Sequence, residues 1–266
     1  DVPRGEVAIL SAHGVSHSVV RRAGARQLKT VDATCPLVAK VHQQAQRYSR
    51  LGYTIVIIGH ADHAEVIGTR GSIDGPVHVV ASEAEIEALP LAADAPVAYV
   101  TQTTLSLDDT RQLITALERR FPAVQGPDVD GICYATQNRQ AAVRALASTV
   151  DLVLVVGARN SSNSNRLREV AELRGVPSRL VEDATELDPG WLEGVQRVGV
   201  TAGASAPDEL VQGLLVRLRE LCGTLVVHEL PGPVENVSFR VPLSALRAVA
   251  REVSRPASCL AVPVPL

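Results

Sequence analysis

The residues able to do chemistry in this chain gather in seven short loops. These are SAHGVS (11–16), DATCP (32–36), GHADHAEVIGT (59–69), TQTTLS (101–106), GICYATQNRQ (131–140), GARNSSNSN (157–165) and TAGASAP (201–207). In Ser161-Ser162-Asn163-Ser164-Asn165, hydroxyls and amides precede a helical pattern, where unpaired backbone N–H groups and the positive helix end suit a phosphate. A single Ser or Asn there would be an ordinary helix cap, but five polar residues in a row favour anion binding. The loop around Ser205 repeats the arrangement one strand later. The chain has no GxxxxGK[ST] loop, so a diphosphate fits better than a nucleoside triphosphate.

His13, His60 and His63 each follow an apolar run, and the last two sit three apart beside Glu65. An imidazolium next to phosphate oxygens gains charge-assisted hydrogen bonds. The HxxH spacing also admits a metal ion, so both ligands stay open, with phosphate the better supported. Cys35 and Cys133 stand at loop-to-helix junctions, before Pro36 and Tyr134. A helix N-terminus favours the thiolate, the form that ligates metals, and two such thiolates suggest two legs of a metal cluster completed from elsewhere. Cys222 continues the apolar stripe of Val211, Leu214, Leu215 and Leu218 and reads as a buried apolar residue, while Cys259 in a Pro-rich tail takes no role. The four cysteines, far apart and without CxxC, make neither a disulfide framework nor a zinc ribbon. Glu65 with Thr103 can form a proton relay if burial raises the carboxyl pKa.

The elements that must position these residues are legible around them. Val7–Leu10, Ile55–Ile58, Val97–Val100, Leu152–Val156 and Val198–Val200 are short, continuous apolar runs, the pattern of parallel strands buried on both faces. Helical periods follow at Leu37, Val38, Val41, Ala45 and Tyr48, at Leu113, Ile114, Leu117 and Phe121, and along Leu210, Val211, Leu214, Leu215 and Leu218. Pro36 and Pro207 suit a first helical turn, and Gly52 and Gly175 suit helix ends. Alternating strands and helices imply an α/β fold with parallel sheets, whose strand-end loops face a common crevice.

Composition narrows the classes. At 266 residues with 46% hydrophobic content, the chain can bury two or three cores and is not disordered. A net charge of -3 with scattered Arg argues against nucleic acid as partner. No apolar run reaches the roughly 20 residues of a membrane span, and no signal-peptide pattern is visible, so no membrane and a cytoplasmic location are expected.

Read together, SAHGVS, DATCPLV-x-KVH, GH-xx-H-x-EV-x-GT, TQTTLS-x-DDT, ICYAT-x-NRQ, NSSNSNRL and TAGASAP resemble the LytB/IspH family of 4-hydroxy-3-methylbut-2-enyl diphosphate reductases. The resemblance runs from about residue 6 to about residue 242, with Glu235, Asn236 and Val237 resembling the family's closing ENV motif. It implies a trefoil-like arrangement of small α/β domains with mostly parallel sheets around a [4Fe–4S] cluster. Residues 1–35 would be the remnant of an incomplete first domain completed by about 223–254, followed by a second domain at 36–132, a third at 133–222 and a tail at 255–266. Carried over by motif, Cys35 and Cys133 are two of three cluster ligands. His13 and His63 hold the diphosphate with Ser161, Ser162, Asn163 and Ser205 around its oxygens, and Glu65 and Thr103 deliver protons. Two electrons, from a ferredoxin or flavodoxin, and two protons would convert the allylic alcohol into isopentenyl and dimethylallyl diphosphates.

The chain departs from the family at Ala64, where Pro is usual, and at Gly131, where an acidic residue is frequent. The family's first cluster cysteine and another diphosphate-binding histidine belong to an N-terminal segment with no counterpart here. The sequence lacks Met even at position 1, which fits an incomplete record of a longer enzyme. The second expectation is a truncated, non-catalytic diphosphate-binding homologue that cannot hold the cluster. A third is a zinc or mononuclear-iron hydrolase built on His60, His63 and Glu65.

Overall fold

Each of the five apolar runs becomes a strand of a parallel sheet, and each is followed by an α-helix. The computed structural model describes residues 2–127, 131–232 and 237–238. The chain order begins β1 (Val7–Leu10), α1 (His17–Ala25), β2 (Lys29–Asp32) and α2 (Pro36–Arg50). It continues with β3 (Thr54–Ile58), α3 (Ala64–Arg70), β4 (Val77–Val80), α4 (Glu83–Glu87), β5 (Val97–Thr101) and α5 (Leu107–Arg120). Then come α6 (Tyr134–Ala147), β6 (Leu152–Val156), α7 (Ser162–Glu172), β7 (Ser178–Val181), β8 (Val198–Ala202) and α8 (Asp208–Cys222).

Among the described residues the strands make three sheets, β1-β2, β4-β3-β5 and β7-β6-β8, and every pairing is parallel. The continuous apolar runs at β3, β5 and β6 are buried throughout or nearly so, as expected for strands covered on both faces. On β3, Ile55 and Ile57 pack with Val41 and Ala45 of α2, while Val56 and Ile58 pack with Leu113, Ile114 and Leu117 of α5. On β6, Leu154 and Val156 pack with Leu214 and Leu218 of α8, while Val153 and Val155 pack with Val143 of α6 and Leu167 of α7. Each central strand is therefore sandwiched between helices, and truncating Leu154 to Ala would cost about 2–5 kcal/mol.

Three features differ from the sequence reading. β1 is not buried on both faces: Val7 and Ile9 are 57% and 73% exposed, because its sheet has two strands and no described element covers that face. The stretch 223–254 expected to complete it falls largely outside the described residues, as do Glu235, Asn236, Cys259 and the 255–266 tail. Cys222 is exposed rather than buried. It lies four residues beyond Leu218 at the end of α8, where Leu221, three residues beyond Leu218, takes the core-facing position in its place. Strands β2, β4 and β7 add to the five runs; they are edge strands of mixed burial, so their sequences lack a continuous apolar signature. No helix of the described residues is long and apolar enough to cross a membrane.

Candidate active site at the strand ends

The first sheet contributes His13 and Cys35, and its placement depends on backbone meeting backbone. Gly14, at φ +74°, turns the loop after β1 so tightly that a Cβ there would lie 2.7 Å from Cε1 of His42. Gly68 of α3 faces the same turn: its Cβ would lie 2.8 Å from the Gly14 carbonyl oxygen. The His17 N–H donates to the Gly71 carbonyl at 2.9 Å, closing the seam. This contact sets the rings of His13 and His63 edge to face, with centroids 5.6 Å apart.

His63 caps α3, its Nδ1 accepting the Glu65 N–H at 3.2 Å. In the neutral ring the proton therefore sits on Nε2. Burial, and next the charges of His13 and His60, hold the His63 pKa below the usual histidine range. An anion placed among the three rings would reverse that direction.

Glu65 follows His63 in the first turn of α3 and is 1% exposed. The Thr103 N–H donates to its Oε1 at 2.7 Å, and the Thr103 hydroxyl meets its Oε2 at 2.8 Å. Burial pushes the carboxyl pKa up to about 7, against the lowering effect of both Thr103 hydrogen bonds. The pair is thus poised to carry a proton near neutrality.

The two cysteines share one local geometry. Cys35 caps α2 at φ -55°, ψ 132° and Cys133 caps α6 at φ -58°, ψ 132°, neither thiol serving as a side-chain cap. The Cys35 N–H donates to Ala12, next to His13, and the Cys133 N–H donates to Thr103, both at 3.0 Å. A path therefore runs from Cys35 to Ala12, across the peptide bond to His13, and by contact through His63, Glu65 and Thr103 to Cys133. Both thiols are partly buried and free, and each stands at the positive end of a helix. Among the described residues no group of three or more His, Cys, Asp or Glu is gathered to hold a metal ion. The His60, His63 and Glu65 metal site thus finds no support, and both oxygens of Glu65 are engaged by Thr103.

The third sheet contributes the Ser/Asn loop. Ser161 is the N-cap of α7: its Oγ accepts the Ser164 N–H at 3.3 Å and the Ser164 hydroxyl at 3.0 Å. Its capping role is real, and it is not shared by Ser162 or Asn163. Asn163 is 7% exposed, yet neither its Oδ1 nor its Nδ2 has a partner among the described residues. A buried amide left unpaired at both ends is costly and marks a place for a ligand's own polar atoms. Gly203 lies beside it, a Cβ there falling 3.7 Å from the Asn163 Nδ2, which brings the loop after β8 alongside; Ser205 stands exposed on that loop.

Two residues not singled out from the sequence join the second and third sheets. Gln102, 1% exposed, accepts the His60 N–H at 3.1 Å and donates to Thr104 Oγ1 at 2.8 Å and Ser162 Oγ at 3.2 Å. The Thr104 hydroxyl donates to Ser162 Oγ at 3.1 Å. Their signal was the polar TQTT run directly after a fully apolar strand, where a buried Gln must find partners. Beside them a cavity of about 200 Å³ is lined by His60, His63, Thr104, Ser162, Asn165 and Arg166 among others.

The family model described as LytB protein matches residues 1–219. The 4-hydroxy-3-methylbut-2-enyl diphosphate reductase of Zymomonas mobilis subsp. mobilis is 54% identical over 254 residues, covering 96% of this chain and 74% of that protein. The enzyme of the same name from Burkholderia pseudomallei is 56% identical over 253 residues, covering 95% of this chain and 80% of that protein. The solved E-1-hydroxy-2-methyl-but-2-enyl-4-diphosphate reductase of Plasmodium falciparum superposes with a TM-score of 0.90 at 34% identity, over 96% of this chain and 80% of that one. With strand-end loops, glycine seam and polar constellation in place, and relatives of this closeness over nearly its whole length, the chain belongs to the LytB family.

Proposed function

We propose that this chain catalyses the reductive dehydroxylation of (E)-4-hydroxy-3-methylbut-2-enyl diphosphate to isopentenyl and dimethylallyl diphosphates, releasing water. The observation that carries this reading is the buried Glu65–Thr103 pair, flanked by the His13–His63 rings on one side and the Cys133 turn on the other. Expelling an allylic hydroxide needs a proton at the leaving oxygen, a hold on the far end of the molecule, and electrons. The chain's own side chains meet the first two needs.

His13 and His63, with Ser161, Ser162, Asn163 and Ser205, would hold the diphosphate. Its oxygens would accept from the Nε2–H of His63, and the unpaired amide of Asn163 gains the partners it lacks. The N-terminus of α7 adds its dipole to the same end. At the other end the protonated Glu65 carboxyl donates to Thr103 Oγ1, which frees the Thr103 O–H for the oxygen that departs as water.

A [4Fe–4S] cluster suits the two cysteines: both are free thiols at helix N-termini, where the thiolate is favoured and no capping role competes. Cys35 and Cys133 would supply two of its thiolates, and the third of the family's set has no counterpart in residues 1–266. When bound, the cluster would supply the electrons for the reduction. A small redox protein of the ferredoxin or flavodoxin type would be the electron source.

The test is anaerobic reconstitution with iron and sulfide, followed by assay of both five-carbon products with and without a chemical reductant. Reductant-dependent formation of the two products is expected. Failure to take up iron, or release of inorganic diphosphate without reductant, would overturn the reading.

A further inference from the structure

The hydrogen bonds around Gln102 run in one direction. A backbone N–H can only donate, so the Gln102 atom facing the His60 N–H at 3.1 Å is the amide oxygen. That fixes the amide nitrogen toward the third sheet, where it donates to Thr104 Oγ1 at 2.8 Å and Ser162 Oγ at 3.2 Å. Between them the two hydroxyls own two protons. The Thr104 hydroxyl spends one on Ser162 Oγ at 3.1 Å. Ser162 Oγ thereby accepts twice, and its own proton is left to point outward, into the cavity that His60, His63 and Thr104 also line. The adjacent Asn163, buried and unpaired at both amide ends, shows that this helix start is built to meet polar atoms it does not itself supply.

We infer that Gln102 is a positioning residue: directly and through Thr104 it orients the Ser162 hydroxyl as a donor to the diphosphate and joins the second sheet's loops to the third's in the same network. The inference rests on the diphosphate reading above and adds to it the residue that sets the polarity of the cradle. Gln102 touches no ligand itself; its 1% exposure leaves it no surface for one.

The experiment is calorimetric titration of the 266-residue chain with inorganic pyrophosphate, comparing the unaltered protein, Gln102→Met, Ser162→Ala and the double variant. Each single change is expected to weaken binding about 10-fold or more, the loss of one hydrogen bond to a charged group. The double variant should bind no worse than Ser162→Ala alone, because Gln102 acts through that hydroxyl. Unchanged affinity in Gln102→Met, or losses that simply add, would overturn the inference. Should Gln102→Met fail to fold, Thr104→Val, at a partly exposed position, breaks the same chain and is read by the same two criteria. No pyrophosphate binding by the unaltered chain would overturn the diphosphate reading together with the inference, whereas binding that only the variants leave untouched sinks the inference alone.

Discussion

Thr103 grips Glu65 at both carboxylate oxygens, through its backbone N–H at 2.7 Å and its hydroxyl at 2.8 Å. The two residues come from different strand-end loops, after β3 and β5, which are parallel neighbours in one sheet. When the carboxyl takes up a proton the side-chain bond reverses, and Thr103 Oγ1 becomes the acceptor. The same contact therefore serves both charge states of a group whose pKa is pushed up to about 7 by burial.

Turnover should fall as pH rises through about 7, because the proton-bearing form of Glu65 is the active one. Glu65→Gln should abolish turnover while leaving pyrophosphate affinity within about two-fold, since Gln keeps the shape and a hydrogen-bonding end. Steady-state rates across pH 6–8 and pyrophosphate titrations check this. Equal loss of binding and rate would remove the proton-donor role.

Stability should follow the same group. The folded pKa of about 7 lies above the ordinary carboxyl value of 4.5, so this contribution is complete below 4.5 and lost as pH rises through 7. The difference corresponds to roughly 3 kcal/mol at most. Urea midpoints of the unaltered chain should decline between pH 5 and pH 8 more steeply than those of Glu65→Gln. Parallel curves would contradict the raised pKa.

Pyrophosphate binding should take up protons. The ligand-free His63 is held below the ordinary histidine range by burial and by its neighbours His13 and His60, and an arriving anion pushes it the other way, toward a ring whose Nδ1 gives up the Glu65 N–H to take a proton. Calorimetry in buffers of different ionisation enthalpy should report net uptake near neutral pH, and His63→Ala should remove most of it. Zero uptake would show that the ring meets the anion as the neutral Nε2–H donor and not as imidazolium.

Asn163→Ala should weaken pyrophosphate binding by about 1–3 kcal/mol, the cost of a lost partner in a buried site. Because the amide is unpaired without ligand, the same change should leave thermal stability unchanged or raised. A lowered melting temperature with normal affinity would assign Asn163 to the fold instead.

Cys133→Ser should cut iron and sulfide taken up in reconstitution to near background, and Cys35→Ser should do the same, given their matching helix-capping geometry. Elemental analysis with electron paramagnetic resonance distinguishes the outcomes. An unaltered signal in either variant would exclude that thiol from ligation.

Much of this architecture could be read before any coordinates. Runs such as Leu152–Val156 are apolar at every position because both faces of β6 are covered, and that signature survives in one dimension. The His, Cys and Ser/Asn loops were legible for the same reason: parallel strands direct their carboxyl ends to one side. β7 escaped notice because an edge strand with an exposed Arg179 carries no such run. Gln102 escaped because a buried polar side chain gets its meaning from partners distant in sequence, here Ser162, 60 positions away. Cys222 was misread because an i+4 step from Leu218 and an i+3 step to Leu221 fit the same periodicity, and only the packing shows that Leu221 faces the core.

The Gly14–Gly68 contact has an implication for how such a site can diverge. Backbone lies on backbone there, with no side chain between whose rotamers could absorb a change. A side chain at either glycine would push apart the turn that carries His13 and the helix start that carries His63, so this seam admits little drift. Room to fit a longer or shorter anion lies on the Ser/Asn side of the cleft, where hydroxyls and amides can adjust.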